Sequence, residues 1–263
     1  MKILIITTTY NRKLLLERCV ESVNSLNIIK DCSITHLIIN DNPSAKIDCI
    51  DFQKHPLIER IVKNNDTNLG KNKSIDRHLP NFRNHDYFIT LDDDDIITSD
   101  SISEIVANAS AYPDSILVYS KINKSTGKTF NTTPVPRSCE TAIEIANACN
   151  MSELSFVCPV LWYIVAKSSS HLKLGQNTPE LYIYQQVSKV APGKVKGFNF
   201  SVMICEYQTE GLTSLFYKRL LSSPESFTDY YRMMMHESGE KKIHYIMIYM
   251  FTTFLKNINR LLK

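Results

Sequence analysis

Four consecutive aspartates at positions 92–95 follow directly on a short apolar run at positions 87–91. The apolar run is typical of a buried β-strand, so we expect the carboxylates at its carboxyl end, where open α/β sheets bind ligands. Adjacent carboxylates repel one another, and a divalent cation with a bound diphosphate would relieve that repulsion. The alternative interpretation is a solvated acidic turn that caps a helix beginning near Ser101.

Apolar, β-branched segments alternate with segments of helical periodicity along the first 120 residues. The predicted strands cover residues 2–8, 33–39, 60–62, 87–91 and 115–119. The predicted helices cover residues 13–26 and 101–111, and another begins at Lys71. This alternation predicts right-handed βαβ units and an α/β fold with a Rossmann-like, mostly parallel central sheet flanked by helices. A plain Rossmann dehydrogenase is a poor match, because Thr9-Tyr10-Asn11-Arg12 follows the first strand in place of GxGxxG.

The second half of the chain has a different composition. Residues 121–137 are polar and are predicted to form a loop or hairpin, and residues 141–149 are predicted to form a short helix. Residues 156–165 are strongly apolar and include the only tryptophan, Trp162. We interpret this run as a buried strand, with part of an acceptor-binding wall as the alternative.

Composition excludes several classes of protein. The net charge of +3 over 263 residues is too small to indicate a nucleic-acid partner. The seven cysteines are scattered and include no CxxC, which argues against a disulfide framework or a zinc site and favours a reducing compartment. The chain shows no signal peptide and no uncharged apolar run that could span a bilayer, so we expect a cytoplasmic protein.

Polar clusters end three of the predicted strands: Thr9-Tyr10-Asn11-Arg12, Asp41-Asn42 and the four aspartates. In a parallel sheet these clusters lie along one edge, an arrangement that suits a nucleotide. Tyr10 can cover a base, Asp41 can accept a hydrogen bond from a base or ribose, and the aspartates can hold a metal on a diphosphate. Lys71 and Lys73 either assist at the phosphates or are simply solvated.

With these clusters, the chain resembles family 2 of the inverting nucleotide-sugar glycosyltransferases, which have the GT-A fold. The resemblance rests on Thr9-Tyr10-Asn11-Arg12, Asp41-Asn42-Pro43-Ser44, Asn68-Leu69-Gly70-Lys71 and Leu91-Asp92-Asp93-Asp94-Asp95, the last fitting the family's form of the DxD motif. It covers residues 1–120 well and weakens toward residue 220. The resemblance implies a glycosyltransferase domain at 1–220, with a nucleotide-binding half at 1–120 and an acceptor-binding half at 121–220.

The resemblance also implies roles for individual residues. Asp94 would bind Mg²⁺ or Mn²⁺, with Asp95 nearby. Glu180 would be the catalytic base, because it follows Thr178 and Pro179 at a predicted helix start; the alternative for Glu180 is an ordinary acid favoured by the helix dipole. Glu153 is the reserve candidate for the base. The donor nucleotide would be bound by Thr9, Tyr10, Arg12, Asp41, Lys71, Asp92 and Asp93.

Two regions after residue 205 complete the comparison with the family. The stretch 206–214 has no histidine, so no third metal ligand is assigned there. Glu210, Thr213 and Ser214 are expected in a loop over the donor diphosphate. His236 and His244 are interpreted as surface residues.

Residues 221–263 are predicted to form a C-terminal helical extension. Within it, residues 241–263 place apolar side chains on one helical face, with lysines at both ends. The apolar run is too short to cross a bilayer but suits a helix lying in the membrane interface. The alternatives are docking on the catalytic domain or on a second subunit, which would make a homo-oligomer.

The resemblance thus implies an inverting transferase that moves a sugar from a nucleotide diphosphosugar, for which we expect a UDP-sugar, to a hydroxyl of a glycan or lipid-linked acceptor. The family implies a bacterial enzyme of surface-polysaccharide synthesis on the inner face of the cell membrane. Two alternatives stay open. A nucleotidyltransferase would normally show a glycine-rich, basic phosphate loop, and a non-catalytic nucleotide-sugar-binding protein would bind the donor without turning it over.

Overall fold

A mixed β-sheet forms the centre of the protein. The computed structural model describes residues 1–48, 52, 55–169, 172, 174, 178–206, 220–221, 224–237 and 242–261. The strands are β1 (Lys2–Thr9), β2 (Ser33–Asn40), β3 (Ile58–Asn64), β4 (Tyr87–Thr90), β5 (Ile96–Ile97), β6 (Ile116–Asn123), β7 (Leu154–Pro159) and β8 (Val195–Cys205). They form one sheet in the order β3-β2-β1-β4-β7-β6-β8-β5.

Helices cover both faces of this sheet. They are α1 (Lys13–Asn24), α2 (Lys71–His78), α3 (Ser101–Ala111), α4 (Ala142–Ala148), α5 (Val160–Ser168), α6 (Glu180–Ser188), α7 (Glu225–Glu237) and α8 (Lys242–Leu261). A 3₁₀ turn, Leu79–Phe82, continues α2. The predicted α/β architecture with a helical C-terminal extension is confirmed.

The central strand β1 shows why the sequence folds this way. Its apolar residues form a continuous run, and they bury side chains on both faces of the sheet. Leu4 and Ile6 join the core on the side of α2, α5 and α6. Ile3 and Ile5 join the core on the side of α1 and α3. A strand buried on both faces is the one expected at the middle of a largely parallel sheet.

Strand direction brings the functional ends together. β1 is parallel to β2 and β4, with Thr9 opposite Asn40 and Ile6 opposite Thr90. β7 runs antiparallel between β4 and β6, so β6 has the same direction as β4. The carboxyl ends of β1, β2, β4 and β6 therefore lie at one edge of the sheet, which we call the donor edge.

The prediction of a single strand over residues 156–165 was wrong in its second half. β7 ends at Pro159 and α5 begins at Val160, so Trp162 lies on a helix, where its Nε1 donates to Asp114 Oδ1 at 2.9 Å. A short apolar run does not distinguish a buried strand from a buried helix. The predicted hairpin after residue 120 is present, because Ile122 pairs with Thr129 and Gly127 takes a φ of 67° at the turn.

The C-terminal tail packs on the second half of the chain. Side chains of α7 and α8 form a common core with Ile143 of α4 and Tyr182 of α6. Phe227 and Met234 of α7 and Tyr245 of α8 are among the buried members. In the part of the chain that the structure describes, no helix is both long and apolar enough to cross a membrane.

Candidate active site

The acidic run, Asp92 to Asp95, lies at the donor edge in a tight turn after β4. Leu91 is buried and its backbone N–H donates to Ile6 O at 2.9 Å, which fixes the run beside β1. Within the turn, the Asp95 N–H donates to Asp92 O at 3.0 Å. α3 has Asp100 at its N-cap, so the run does not cap that helix. The interpretation of the run as a solvated helix cap is therefore wrong.

Two of the four carboxylates point into the protein. Asp93 accepts from Thr9 Oγ1 at 2.7 Å and from Arg12 Nη1 at 3.1 Å. Asp95 accepts from Cys205 Sγ at 3.0 Å and lies 3.5 Å from Lys121 Nζ. Burial raises the pKa of Asp93 and that of Asp95 to about 6 each, although these donors oppose the shift.

The other two carboxylates are more accessible. Asp94 Oδ2 accepts from Arg12 Nη1 at 3.2 Å, and its backbone oxygen accepts from Arg18 Nη2 at 2.7 Å. Burial and the neighbouring Asp92 raise the pKa of Asp94. Asp92 forms an ion pair with Lys71. Partial burial alone would raise the pKa of Asp92, but the charges of Lys71 and Lys121 outweigh it, so the pKa is lowered.

Asp41 follows β2 at the same edge and is almost fully buried. Its Oδ1 accepts from Leu69 N at 2.9 Å, from Asn65 Nδ2 at 2.9 Å and from Ser74 Oγ at 3.0 Å, and its Oδ2 accepts from Gly70 N at 2.7 Å. One carboxylate therefore organises the loop that enters α2. Its expected contact with the base or ribose stays a prediction.

Gly70 explains how this loop delivers Lys71 to the site. Gly70 has a φ of 78°, a left-handed conformation that favours glycine, and it precedes the first residue of α2. The chain turns there, and the Lys71 side chain reaches back to the donor edge. Its Nζ lies 3.1 Å from Glu180 Oε1 and also pairs with Asp92. Burial would lower the pKa of Lys71, but these two carboxylates raise it above its usual value.

Glu180 therefore belongs to the same cluster as the acidic run. Its Oε1 accepts from Thr90 Oγ1 at 2.9 Å, the last residue of β4, in addition to the contact with Lys71. Thr90 Oγ1 also lies 3.1 Å from Tyr184 OH, one turn further along α6. The helix starts at Glu180 with Pro179 at the N-cap, one residue later than predicted. These contacts go beyond those of an ordinary acid at a helix start.

The remaining predicted residues lie around this cluster. Thr9 is buried against Asp93, whereas the Tyr10 side chain is 50 % exposed at the edge. Glu153, the reserve candidate for the base, has its Oε2 4.0 Å from Lys121 Nζ. His236 is exposed, as expected. Glu210, Thr213, Ser214 and the His244 side chain lie outside the described residues.

Sequence reasoning missed two cations of the site. Lys121 of β6 is 8 % exposed, and its Nζ lies 3.5 Å from Asp95 Oδ2. Burial would lower the pKa of Lys121, but the neighbouring acidic groups outweigh burial and raise it. Arg18 of α1 joins Asp94 to Glu206 Oε2. Neither residue belongs to a motif. No local signal marked Lys121, because it begins the polar segment that the sequence assigned to a loop or hairpin.

The donor atoms at the edge suit a hard divalent cation. Mg²⁺ is commonly held by one or two carboxylates and completes its shell with phosphate oxygens and water. Asp94 offers such a carboxylate, with Asp92 two residues away. Among the described residues no group of three or more His, Cys, Asp or Glu side chains could enclose a metal. The Asp94 and Asp92 carboxylates would hold such a cation, and a bound diphosphate would supply further oxygen ligands.

An α/β sheet whose parallel strand ends gather carboxylates and cations at one edge has the arrangement in which open α/β sheets bind their ligands. The model of Glycosyl transferase family 2 matches residues 4–168, more than half of the chain. The chain belongs to this family and is a glycosyltransferase. A comparison with curated proteins found no match.

Solved structures of S. aureus TarS share the fold. The structure of TarS 1-349 in complex with UDP-GlcNAc is similar with a TM-score of 0.65 and 14 % identity, over 95 % of this chain and 70 % of that chain. TarS 1-349 alone gives a TM-score of 0.63 and 13 % identity, over 95 % and 69 % of the two chains. A longer TarS structure gives 0.62 and 12 %, and this chain spans only 42 % of it. The predicted GT-A fold is confirmed.

Proposed function

We propose that this glycosyltransferase moves a sugar from a UDP-sugar to a hydroxyl group of a glycan or lipid-linked acceptor, with inversion at the anomeric carbon. The observation that carries the proposal is the contact between Lys71 and both Asp92 and Glu180. It joins the donor-binding edge to a carboxylate that can act as a base. The UDP-GlcNAc bound by TarS, which has the same fold, supports a UDP-sugar as the donor.

On the donor side, we assign the nucleotide to the edge formed by β1 and β2. Tyr10 is half exposed there and can stack on a base, and Thr9 and Arg12 border the same position through their contacts with Asp93. Asp41 shapes the adjacent loop. Mg²⁺ or Mn²⁺ held by Asp94 would neutralise charge on the leaving diphosphate.

On the acceptor side, we assign the base to Glu180. Its carboxylate would take the proton from an acceptor hydroxyl as that oxygen attacks the anomeric carbon. Lys71 Nζ, 3.1 Å from Glu180 Oε1, holds this carboxylate at the donor edge. A single displacement inverts the anomeric configuration. Surface-polysaccharide synthesis is the process that we propose for such a reaction.

The test compares three variants in UDP release and in sugar transfer to a hydroxyl acceptor, with UDP binding measured by calorimetry. Glu180→Gln removes the base but keeps the shape of the side chain, so transfer should fall at least hundredfold while UDP still binds. Asp94→Asn should abolish the dependence on Mg²⁺ or Mn²⁺ together with most turnover. Glu153→Gln is the matched control and should retain transfer.

Four results would contradict parts of the proposal. Full turnover by Glu180→Gln with loss in Glu153→Gln would move the base to Glu153. Unchanged activity of Asp94→Asn would refute the metal role. Binding of UDP-sugars by the wild type with no transfer or hydrolysis would favour the non-catalytic alternative. Proton NMR of the product reports the anomeric configuration, and retention would refute a single displacement.

A further inference from the structure

The helix α8 presents a stripe of large apolar side chains to solvent. The exposed fractions are 67 % for Met247, 64 % for Met250, 47 % for Phe251 and 61 % for Phe254. These positions are spaced i, i+3, i+4 and i+7, so they lie on one face of the helix. The opposite face is the packed one, because Tyr245 and Thr252 are buried and Ile248 and Tyr249 join the core formed with α7.

This stripe is larger than the scattered apolar residues of an ordinary surface. Four such side chains at these exposures present on the order of 500 Å² of mostly apolar area, given about 200 Å² for a fully exposed Met or Phe. A contiguous patch of a few hundred Å² on a soluble protein usually marks a surface for a partner or a membrane. The stripe faces away from the core of α7 and α8, so folding of the described residues does not explain it.

The charge of residues 241–263 distinguishes between a second copy of the chain and a membrane as the partner of this stripe. Residues 241–263 contain five basic residues and no Asp or Glu: Lys241, Lys242, Lys256, Arg260 and Lys263. A two-fold contact between copies of α8 would bring ten positive charges together with no acid of the same segment to offset them. An anionic membrane offers an apolar interior for the stripe and negatively charged head groups for the basic segment, so it is complementary to both features.

We propose that the face of α8 formed by Met247, Met250, Phe251 and Phe254 docks on an anionic lipid surface. The helix would lie in the plane of the interface with the apolar stripe among the acyl chains, and the positive charge of the segment would favour anionic head groups. This docking is independent of the assigned base and metal. It would hold the catalytic domain beside a lipid-linked acceptor.

The test is co-sedimentation of the full chain with two kinds of vesicle, phosphatidylcholine alone and phosphatidylcholine with phosphatidylglycerol. The wild type should partition onto the anionic vesicles at least tenfold more strongly, and 0.5 M salt should weaken that binding several-fold. The triple variant Met247→Gln/Met250→Gln/Phe254→Gln should lose at least tenfold in partition coefficient. Glutamine is a good helix former at these exposed positions, and circular dichroism verifies the fold.

The matched control is Leu14→Gln/Leu57→Gln/Leu161→Gln, which removes three side chains that are 80 %, 62 % and 56 % exposed on other elements. It should bind anionic vesicles within twofold of the wild type. Equal binding by the α8 variant, or no preference of the wild type for anionic vesicles, overturns the proposal. Sedimentation equilibrium gives the other decisive outcome, since a wild-type dimer that the α8 variant abolishes would identify a second copy as the occupant.

Discussion

The donor side and the base side of the site are stabilised in different ways. The donor-side carboxylates, Asp41 and Asp93, are held by residues of the same half of the chain. Glu180, on the base side, is held by Lys71 and Thr90, which both belong to the donor half. The first half therefore supplies most of the contacts of the binding edge, apart from those that Asp95 makes with Lys121 and Cys205. The candidate base depends instead on Thr90, which precedes it by 90 residues, and on Lys71, which lies still earlier in the chain.

The largest effect is expected from breaking the link between the two sides. Lys71→Met removes the ammonium between Asp92 and Glu180, leaving two carboxylates to repel each other. We expect kcat for sugar transfer to fall at least hundredfold, about 2.7 kcal/mol in activation free energy, because a charge aligned within the site is lost. UDP binding by calorimetry should change less than turnover.

Lys73→Met is the control for this prediction. Lys73 lies on the same helix but is exposed, so its loss should change kcat less than twofold. Equal losses in the two variants would show that α2 acts only through its general positive charge. Full activity of Lys71→Met would mean that Glu180 does not need Lys71 for its position. The proposed dependence of the base side on the donor half would then be wrong.

This contrast also marks how far the sequence could predict the structure. Strands β1 to β4 of the donor half were predicted from their apolar runs, although β5 was missed, and the helix at 101–111 was predicted with the bounds that the structure shows. Local motifs likewise placed Asp41 and the acidic run at one edge. These features could be predicted because they depend only on residues that are close to one another in the sequence.

Features that depend on distant neighbours were not accessible in this way. Lys121 is an ordinary residue of β6 until the fold brings it to Asp95. For Lys71 the sequence left two options, phosphate contact or solvation, and the structure shows a third, an ion pair with two carboxylates. The boundary between β7 and α5 was missed because the run is apolar on both sides of Pro159.

A smaller effect tests the contacts within the donor edge. Asp41→Asn replaces one acceptor oxygen by an N–H₂ group, so one or more of the N–H groups of Leu69 and Gly70 lose their partner. We expect a loss of about 1–3 kcal/mol in the free energy of unfolding, the cost of an unsatisfied buried polar group. Urea denaturation measures it, and the KM for the donor should rise with it.

Asp66→Asn is the matched control in the same loop. The Asp66 carboxylate is 92 % exposed and only 3.8 Å from Arg77 Nη2, so its replacement should change stability by less than 0.5 kcal/mol, as for typical exposed ion pairs. If Asp41→Asn were as stable as this control but bound UDP poorly, Asp41 would act on the nucleotide directly. That result would sharpen the assignment of the donor edge.

The smallest effect concerns His36, which lies in β2 beneath the donor edge. It is fully buried, and its Nε2 lies 3.0 Å from Thr7 Oγ1. Burial, with a smaller contribution from Arg60, lowers the pKa of His36 to about 3, whereas an unfolded histidine has a pKa near 6.5. Below pH 6.5 His36 is protonated in the unfolded chain but stays neutral in the folded chain. The free energy of unfolding therefore falls as the pH decreases toward 3.

At pH 5 this difference amounts to about 2 kcal/mol of unfolding free energy, and at pH 8 it vanishes. Asp93 acts in the opposite direction, because burial raises its pKa to about 6 and protonation between pH 6 and 4 then favours the folded state.

The informative quantity is therefore the difference between the wild type and His36→Gln, measured by urea denaturation at pH 5, 6.5 and 8. His36→Gln should lose less stability than the wild type between pH 8 and pH 5. Identical pH dependence in the two proteins would show that His36 is protonated in the folded state, and that the donor half is less tightly closed around β2 than its burial indicates.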